Sequence, residues 1–382
     1  TVYPAVSGSF VFSELWKPSF LSFGKLRAGY AMVGQATSPF QTQLYYNLRS
    51  ESINNNPLGN IVNGAIPNAS LFASSATELE IGTELRFFGD RLNVDFTWYN
   101  KKSKDEIIDV PTSTTTGYNG AVLNIGQLRN RGIEALVSGI ILKNQDFSWT
   151  SSINGSRNNN MVLTLAPGTA SQPLATSRSN VGFLQNLEGK PIAQIMAYDF
   201  QYDANGNIVR DTNGVPQRGE LKDYGSAYHK WTAGWNNEFN YKGVNLSFLI
   251  DGKWGGKIFS ATDYYGYVFG LHQATLESRD QLGVGAANYY GTYANNVSKQ
   301  FVQDASFIKF RQFILGYNFP AKVFNNKIKG LNVSFVGRNL FILMKKTDNI
   351  DPESSYNATI PGMELGGVPP VRTYGLNLSV KL

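Results

Sequence analysis

The stretch KWTAGWNNEFNYKGVNLSFLIDGKW, residues 230–254, decides the fold, because apolar and polar side chains alternate along it on both sides of Lys242–Gly243. In its first half one face is apolar and aromatic: Trp231, Ala233, Trp235, Phe239 and Tyr241. The opposite face is polar: Thr232, Asn236, Glu238 and Asn240. A period of two residues is that of a β-strand, whose successive side chains point to opposite faces of the sheet. The stretch therefore predicts two neighbouring strands, each with one apolar and one polar face.

The same alternation recurs from end to end of the chain and predicts about eleven long strands. They are expected near residues 5–14, 21–34, 78–89, 91–102, 129–143, 146–157, 230–241, 244–258, 305–319, 330–343 and 371–382. Several of these runs exceed about 10 residues, whereas a typical strand of a soluble protein has about 5–6. Such a length fits a tilted strand that crosses a membrane.

The connections between these runs are short and long in alternation. The short ones are Gly89–Asp90, Asn144–Gln145, Lys242–Gly243 and the link Pro320–Lys329. The long ones are polar stretches: 35–77, 103–128, 158–229, 259–304 and 344–370. Short periplasmic turns that alternate with long extracellular loops are typical of a bacterial outer-membrane barrel. The sequence thus predicts an all-β fold, a transmembrane antiparallel β-barrel, in which a possible extra hairpin from Pro191 to Tyr202 lies above the membrane.

The number of predicted strands bears on the organisation of the chain. Eleven is odd, whereas bacterial single-chain barrels have an even number of strands. The first residues, TVYPAVSGSF, do not contain a signal peptide. We therefore expect residues 1–382 to be the C-terminal portion of a larger barrel, with the other segments upstream of this chain.

The composition narrows the class of protein. Charged residues make up 16% of the chain and aromatic residues 13%, which argues against a helical soluble protein and fits many strands. A soluble sandwich or propeller is the alternative, but a propeller would show repeats of about 40–50 residues, and we find none. The chain has no cysteine, which excludes disulfides and thiolate metal sites. The net charge of +6 is scattered along the chain, so we expect no nucleic-acid partner.

Few residues have a pattern that suggests chemistry. The histidines His229 and His272 fall in separate predicted loops without a zinc-binding spacing, so both are expected to be solvated. DANGN, residues 203–207, lacks the later glycine and glutamate of a calcium loop and predicts a turn. The alternating carboxylates Glu78, Glu80 and Glu84 predict a hydrated wall of the barrel rather than a catalytic pair. We therefore expect no catalytic residue, no metal site and no cofactor, and the chain is not predicted to be an enzyme.

One group of aromatic residues in the stretch 259–304 is a weak candidate for ligand binding. Its members are Tyr264, Tyr265, Tyr267 and Phe269. Aromatic faces can stack on sugar rings or pack against peptides, and packing within the loop itself explains the cluster equally well. Both interpretations stay open.

Six segments follow one another along nearly the whole chain: ELEIGTELRFFGDRLNVDFTWYNKKSKDEI (78–107), NIGQLRNRGIEALVSG (124–139), ASFIKFRQFILGYNFP (305–320), VGRNLFIL (336–343), DPE (351–353) and YGLNLSVKL (374–382). Their content and order resemble the SusC/RagA family of TonB-dependent outer-membrane transporters, in the C-terminal half of the barrel. Two features depart from that family. The chain ends on Leu382 rather than an aromatic residue, and an acidic element common in the family is absent near Gly219 to Tyr224, so we expect no calcium there.

The resemblance implies a 22-stranded barrel, closed by a plug, that imports oligosaccharides or peptides across the bacterial outer membrane. It implies a SusD-like surface lipoprotein as a lid, and the TonB–ExbB–ExbD system as the energy source, acting through a TonB box. The plug and the TonB box would lie upstream of this chain, which would contact outer-membrane lipid and supply half of the wall. Candidates for contact with the lid or with a glycan or peptide substrate are 35–77, 158–229, 259–304 and 344–370.

Two other functions remain open at this point. A siderophore or vitamin receptor would share the barrel, but it would not need a lipoprotein lid or show the series of segments quoted above. A barrel that serves a secretion or structural complex would have the same strand pattern without importing anything. The identity of the partner distinguishes these possibilities.

Overall fold

A computed structural model describes residues 2–61, 64–118, 120–166, 168–276, 285–325, 329–354 and 360–381. Within these ranges the strands are β1 Ala5–Phe10, β2 Leu21–Gln35, β3 Tyr46–Ile53, β4 Asn56–Ile61, β5 Ala65–Ile66, β6 Ser74–Phe87, β7 Leu92–Lys104, β8 Ile107–Pro111, β9 Gly120–Asn124, β10 Gln127–Lys143, β11 Phe147–Thr164, β12 Ser171–Thr176, β13 Gly182–Leu187, β14 Gln194–Phe200, β15 Arg218–Ser226, β16 Trp231–Tyr241, β17 Val244–Trp254, β18 Lys257–Ser260, β19 Val302–Asp304, β20 Phe307–Pro320, β21 Gly330–Lys345, β22 Met363–Glu364 and β23 Thr373–Lys381. The α-helices of eight or more residues are α1 Ala261–Val268 and α2 Ala286–Asn296. No helix in these ranges is long and apolar enough to span a membrane.

Eleven strands form one antiparallel sheet in which neighbours follow the order of the chain. That order is β1-β2-β6-β7-β10-β11-β16-β17-β20-β21-β23. The eleven predicted long strands are thereby confirmed, with shifts of a few residues at most ends. The largest shift is in β11, which continues to Thr164, seven residues beyond its predicted end. As predicted, the stretch between β11 and β16 adds no strand to this sheet.

The short and long connections lie at opposite ends of the sheet, as predicted from their alternation. At the Lys242–Gly243 turn both residues have a positive φ, 45° and 93°. This conformation matches the twist of a two-residue hairpin, and Gly243 adopts it without a steric cost. At the Asn144 turn, the Asn144 side chain accepts hydrogen bonds from the backbone N–H groups of Asp146 and Phe147, at 3.1 and 2.8 Å. Both turns leave only short links at this end.

The inner face of the sheet carries ion pairs between strands. Arg27 on β2 reaches across β6 and donates to both carboxylate oxygens of Asp95 on β7, at 2.9 and 2.6 Å. Gly82 lies under this side chain, and a Cβ atom at Gly82 would stand 2.6 Å from the Arg27 Nε. Nearby, Glu84 pairs with Lys25 at 2.6 Å and with Arg86 at 2.8 Å. Of the three predicted wall carboxylates, Glu78 and Glu84 thus have a cationic partner.

The outer face is apolar and aromatic, with one polar pair in its middle. Ser151 and Asn237 stand opposite each other on β11 and β16. The indole N–H of Trp235 donates to the Ser151 Oγ at 2.9 Å, and that of Trp149 donates to the Asn237 Oδ1 at 3.0 Å. Asn237 has no exposed surface, because the stacked rings of Trp149 and its neighbours cover it. The Ser151 hydroxyl and the Asn237 side-chain oxygen thus each accept a hydrogen bond from an indole N–H.

We expect Trp235→Arg to reduce the yield of folded protein in the membrane, because it places a charge on the apolar face near mid-strand. A cation at the middle of a bilayer costs about 2–4 kcal/mol in a barrel. The measurement is the fraction of protein from outer membranes that migrates as a folded, heat-modifiable band. Ser152→Arg is the matched control, because Ser152 points to the inner face of the adjacent strand. Equal yields of the two variants would contradict the assignment of the faces.

Candidate functional site

Three of the long connections fold together into one body at the end of the sheet opposite the short turns. We call this body the loop domain; it comprises the described residues of 165–230, 255–306 and 346–372. It contains the four-stranded sheet β12-β13-β14-β15, the three-stranded sheet β19-β18-β22, and helices α1 and α2. Its apolar core is Val181, Leu184, Ala193, Ile195, Ala227, Phe259, Ala261, Tyr264, Ala294, Phe301 and Met363. Residues from all three connections thus share one core.

The predicted hairpin from Pro191 to Tyr202 is wrong. Residues 194–200 form the single strand β14, which pairs with β13 on one side and β15 on the other. The alternation correctly indicated a strand in this segment. That strand pairs with β13, which precedes it in the chain, and with β15, which follows it, rather than with a second strand inside the segment. The DANGN turn is confirmed: the Asp203 carboxylate accepts hydrogen bonds from the N–H groups of Asn205 and Asn207, both at 2.8 Å.

Helix α1 is tied to a different connection of the loop domain at its first turn. The Ser260 Oγ caps the helix by accepting a hydrogen bond from the Asp263 N–H at 3.0 Å. The Glu364 carboxylate, from the third connection and 2% exposed, accepts hydrogen bonds from the hydroxyls of Ser260 and Thr262 at 3.0 and 2.6 Å. Asp263 is also buried and accepts from Asn349 at 3.0 Å. These bonds hold the second and third connections together.

The two histidines are structural side chains rather than solvated ones, contrary to the prediction. The Nε2 of His229 lies 3.0 Å from the carbonyl oxygen of Ala305, and its ring meets that of Phe307 edge-on. Burial lowers the pKa of His229 below its ordinary value. The Nδ1 of His272 accepts a hydrogen bond from the backbone N–H of Ala274 at 3.1 Å. Both partners are backbone groups, which have no signature in the sequence, so the pattern of residues did not indicate these contacts.

Three of the four aromatic candidates lie on α1, and the fourth, Phe269, is the residue that caps its C-terminal end. Tyr264 is 5% exposed and donates its hydroxyl to the Asn295 Oδ1 at 2.8 Å. Tyr267 packs edge-on against Tyr290 and Tyr293 of α2, with ring centroids 5.1 and 5.6 Å away, and burial raises its pKa. These two rings therefore build the loop domain.

The other two candidates, Tyr265 and Phe269, are one helical turn apart and stack on each other. Their ring planes lie within 14° of parallel, with centroids 6.1 Å apart. Phe269 is 66% exposed. Spacing of four residues puts side chains on the same face of a helix, which explains why this pair separates from Tyr264 and Tyr267. The accessible aromatic surface of the candidate site is therefore the exposed Phe269 ring, stacked on the half-buried Tyr265.

A cluster of six charges joins the loop domain to the inner face of the sheet. We call it the mouth cluster; it consists of Asp251, Lys253, Lys309, Arg311, Asp351 and Glu353. Three cations face three anions, so the cluster is neutral. Lys309 is 4% exposed and donates to Asp351 at 2.9 Å and to Glu353 at 2.8 Å. Arg311 donates to Asp251 at 2.8 Å and to Glu353 at 3.0 Å.

The mouth cluster was not among the sequence candidates, although its residues were quoted. Lys309 and Arg311 belong to the segment 305–320, and Asp351 and Glu353 to DPE. Nothing in either segment indicates the other as its partner, since 42 residues separate Lys309 from Asp351. Among the residues that the structure describes, no group of three or more His, Asp or Glu side chains could hold a metal ion.

We expect Lys309→Met to release residues 346–372 from the inner face of the sheet. Removing one partner from a buried ion pair costs about 3–5 kcal/mol, because the other charge stays buried without compensation. The measurement is hydrogen exchange of the backbone in 346–372, compared between variant and wild type. Lys253→Met is the control: Lys253 is more exposed and lies 3.6 Å from Glu353, so it should change exchange little. Equal effects of both variants would contradict the anchoring role of Lys309.

The cluster should also resist acid to an unusually low pH. Burial alone would raise the pKa of Glu353, but hydrogen bonds from Arg311 and Lys309 lower that pKa to about 2. A glutamate in the unfolded chain has a pKa of about 4.3, so the stabilisation is complete above that pH and is lost as the pH falls through about 2. The measurement is the rate of pepsin cleavage within 346–372 between pH 4.5 and pH 2. In Glu353→Gln the protection of 346–372 against cleavage should be missing over this whole pH range. If the wild type showed the same dependence of cleavage rate on pH as Glu353→Gln, the stabilising role of the Glu353 carboxylate would be refuted.

Known proteins share both the sequence pattern and the fold. The family described as TonB dependent receptor-like, beta-barrel matches residues 1–340. TonB-dependent receptor P3 of Formosa agariphila is 24% identical over 410 aligned residues, which cover 94% of this chain and 39% of that protein. TonB-dependent receptor SusC of Bacteroides thetaiotaomicron is 24% identical over 340 residues, which cover 82% of this chain and 32% of SusC. The structure of the RagAB peptide transporter has a TM-score of 0.78 at 19% identity, covering 99% of this chain and 43% of that one.

These similarities confirm the resemblance to SusC and RagA and the predicted barrel fold, with short periplasmic turns and long extracellular loops. The chain spans about two fifths of the length of the curated relatives that it matches first. The family match covers most of the chain and includes nine of the eleven strands of the large sheet completely and β21 in part. The chain therefore belongs to the TonB-dependent receptor β-barrel family, whose members lie in the bacterial outer membrane.

Proposed function

We propose that the full-length protein imports oligosaccharides or peptides across the outer membrane, with a SusD-like lipoprotein seated over the loop domain. The observation that carries this proposal is the loop domain itself. Three extracellular connections share one apolar core, and the mouth cluster fastens the third of them to the wall of the barrel. A lid needs a platform of fixed shape, and three independent flexible loops would not supply one.

The Tyr265–Phe269 pair is the proposed ligand contact within this platform. Its rings are stacked and Phe269 is largely exposed, while Tyr264 and Tyr267 support the helix from below. A flat apolar surface of this kind suits a sugar ring or an apolar peptide side chain. The contact therefore fits both substrate classes, and the bound molecule has to be identified by experiment.

The energy for transport comes, in this proposal, from the TonB–ExbB–ExbD system. It acts on a segment that lies outside this chain, and it releases the substrate towards the periplasm. The present chain provides the wall and the extracellular loops, and it carries out no chemical step. The similarity to receptors such as SusC, rather than to enzymes, supports this division of roles.

The test is purification of the full-length protein from outer membranes in a mild detergent, followed by mass spectrometry of everything that accompanies it. A stoichiometric surface lipoprotein together with a glycan or a peptide would support import through a lidded barrel and would identify the substrate class. A bound iron chelate or vitamin without a lipoprotein would favour a siderophore or vitamin receptor. Secretion or structural proteins in place of both would overturn the import proposal.

We expect Phe269→Ala to weaken binding of the copurified glycan or peptide about threefold to tenfold, since an aromatic contact contributes about 0.5–1.5 kcal/mol. The measurement is calorimetric titration of the emptied complex with that molecule. Tyr264→Phe is the control, because it removes the hydrogen bond to Asn295 without changing the accessible surface. It should leave affinity unchanged and lower the stability of the loop domain by about 0.5–1.5 kcal/mol. Unchanged affinity in Phe269→Ala would exclude the pair as a ligand contact.

A further inference from the structure

The outer face of the sheet carries a group of four cations that have no acidic partner. We call them the basic rim: Lys102, Arg129, Arg131 and Arg157. They face outwards because they are in register with outward side chains; Arg157, for example, stands opposite Trp231. Within the described part of the chain, no carboxylate oxygen lies within 4.0 Å of any of the four. The positive charge of the basic rim, on the membrane side of the sheet, is therefore not neutralised by any carboxylate of the described residues.

The inner face of the same strands shows the opposite arrangement. There Lys25, Arg27 and Lys101 each pair with a carboxylate of another strand, at 2.6, 2.6 and 3.9 Å. On the outer face, by contrast, Lys102 stands directly opposite Arg129. Like charges directly opposite on antiparallel strands are destabilising. The nearest polar contact of Arg129 is the weak acceptor Met161, 3.7 Å from its Nη2, and its Nε is buried without a partner.

The basic rim lies at the extracellular end of the wall. Arg157 stands opposite Trp231, the first residue of β16, and Trp231 stands opposite Trp254, the last residue of β17. The Arg157 guanidinium lies over the Trp231 ring, 5.1 Å from its centroid. Tryptophan side chains at strand ends form the girdle of a membrane barrel at the level of the lipid headgroups. The four cations are therefore at the depth of the headgroups of the outer leaflet.

Two cavities on the outer face open next to the basic rim. The larger, of about 450 Å³, has a floor of small residues that are in register across three strands, Ala135, Gly155 and Ala233. Its walls are the apolar side chains of Ile133, Ile153, Trp231 and Trp254. Arg157 lies at its edge. The smaller, of about 310 Å³, is lined by Trp98, Arg131 and Arg157 among others. Arg157 belongs to both, so an apolar groove and a cationic pocket are joined.

We propose that this joined surface binds a phosphorylated lipid of the outer leaflet, of the lipid A type. A phosphate is held by Arg131 and Arg157, and one acyl chain lies in the groove over Ala135, Gly155 and Ala233. Charge complementarity selects the occupant, because an anion relieves the repulsion within the basic rim. Position in the wall selects the leaflet, since the cations are level with the extracellular Trp231 and Trp254. Arginine is suited to this role because its planar guanidinium can donate two hydrogen bonds to one phosphate.

The test uses the full-length protein, delipidated in detergent and titrated with phosphorylated lipid A under native mass spectrometry. The double variant Arg131→Gln, Arg157→Gln should bind at least about tenfold more weakly, because two charge-assisted hydrogen-bonding groups are lost. The matched control is Arg338→Gln, which removes an exposed arginine from the inner face and should bind as the wild type does. Ala233→Leu fills the groove without changing any charge and should also weaken binding.

Two further lipids decide what is recognised. Lipid A treated with phosphatase should bind to the wild type as weakly as phosphorylated lipid A binds to the double variant. Phosphatidylglycerol, an anionic phospholipid, should bind less tightly than phosphorylated lipid A. Equal binding of all three lipids, or no effect of either the double variant or Ala233→Leu, would overturn the proposal. Either result would leave the proposed import function untouched, because that function depends on the loop domain.

Discussion

The structure depends on one constraint, which is that every backbone N–H and C=O group inside a bilayer needs a partner within the protein. Eleven consecutive strands meet this requirement by pairing with their neighbours in chain order. Pairing in turn imposes a period of two on the side chains, so each strand has a face towards lipid and a face towards the inside. At Ser151 and Asn237, two polar side chains in the middle of the lipid face, an indole N–H donates a hydrogen bond to the side-chain oxygen.

The same constraint explains why the main apolar core of the chain lies outside the membrane. The outer face of the sheet needs no protein cover, because lipid covers it, and the inner face is polar. The extracellular connections are in water and must bury their own apolar residues, which they do jointly in the loop domain. The mouth cluster is the link between these two parts. It is built from β17, β20 and the third connection, and its charges balance, so a buried ionic contact replaces an apolar one.

Much of the sheet could be predicted from the sequence, because alternation along a single strand is a local property. The boundaries of β16 and β17 near the Lys242–Gly243 turn were predicted to within a residue. The loop domain could not be predicted in the same way, since its contacts join residues that are far apart in the chain. Glu364 accepts a hydrogen bond from Ser260, about a hundred residues earlier, and Lys309 of β20 has its partners in the third connection.

The aromatic candidates show the limit most clearly. Their spacing is compatible with both a loop and a helix, and only the helix shows that Tyr264 is buried whereas Phe269, stacked on the half-buried Tyr265, is exposed. His229 is a second case, because its partner is a backbone carbonyl, which has no signature in the sequence. Local patterns thus indicated the wall of the barrel, while the chemistry of its mouth depended on tertiary contacts.

The shared core of the loop domain has a consequence for how such a protein can diverge. A segment inserted into one connection would meet Phe259, Phe301 or Met363, each of which belongs to a core contributed by all three. Changes in the three connections are therefore coupled, and a variant with a new specificity would have to inherit them as a set. The strands between them carry no such coupling, since each contacts mainly its two neighbours. Recombination that exchanges all three extracellular connections together, while the strands of the barrel stay the same, is thus the change that preserves folding at every step.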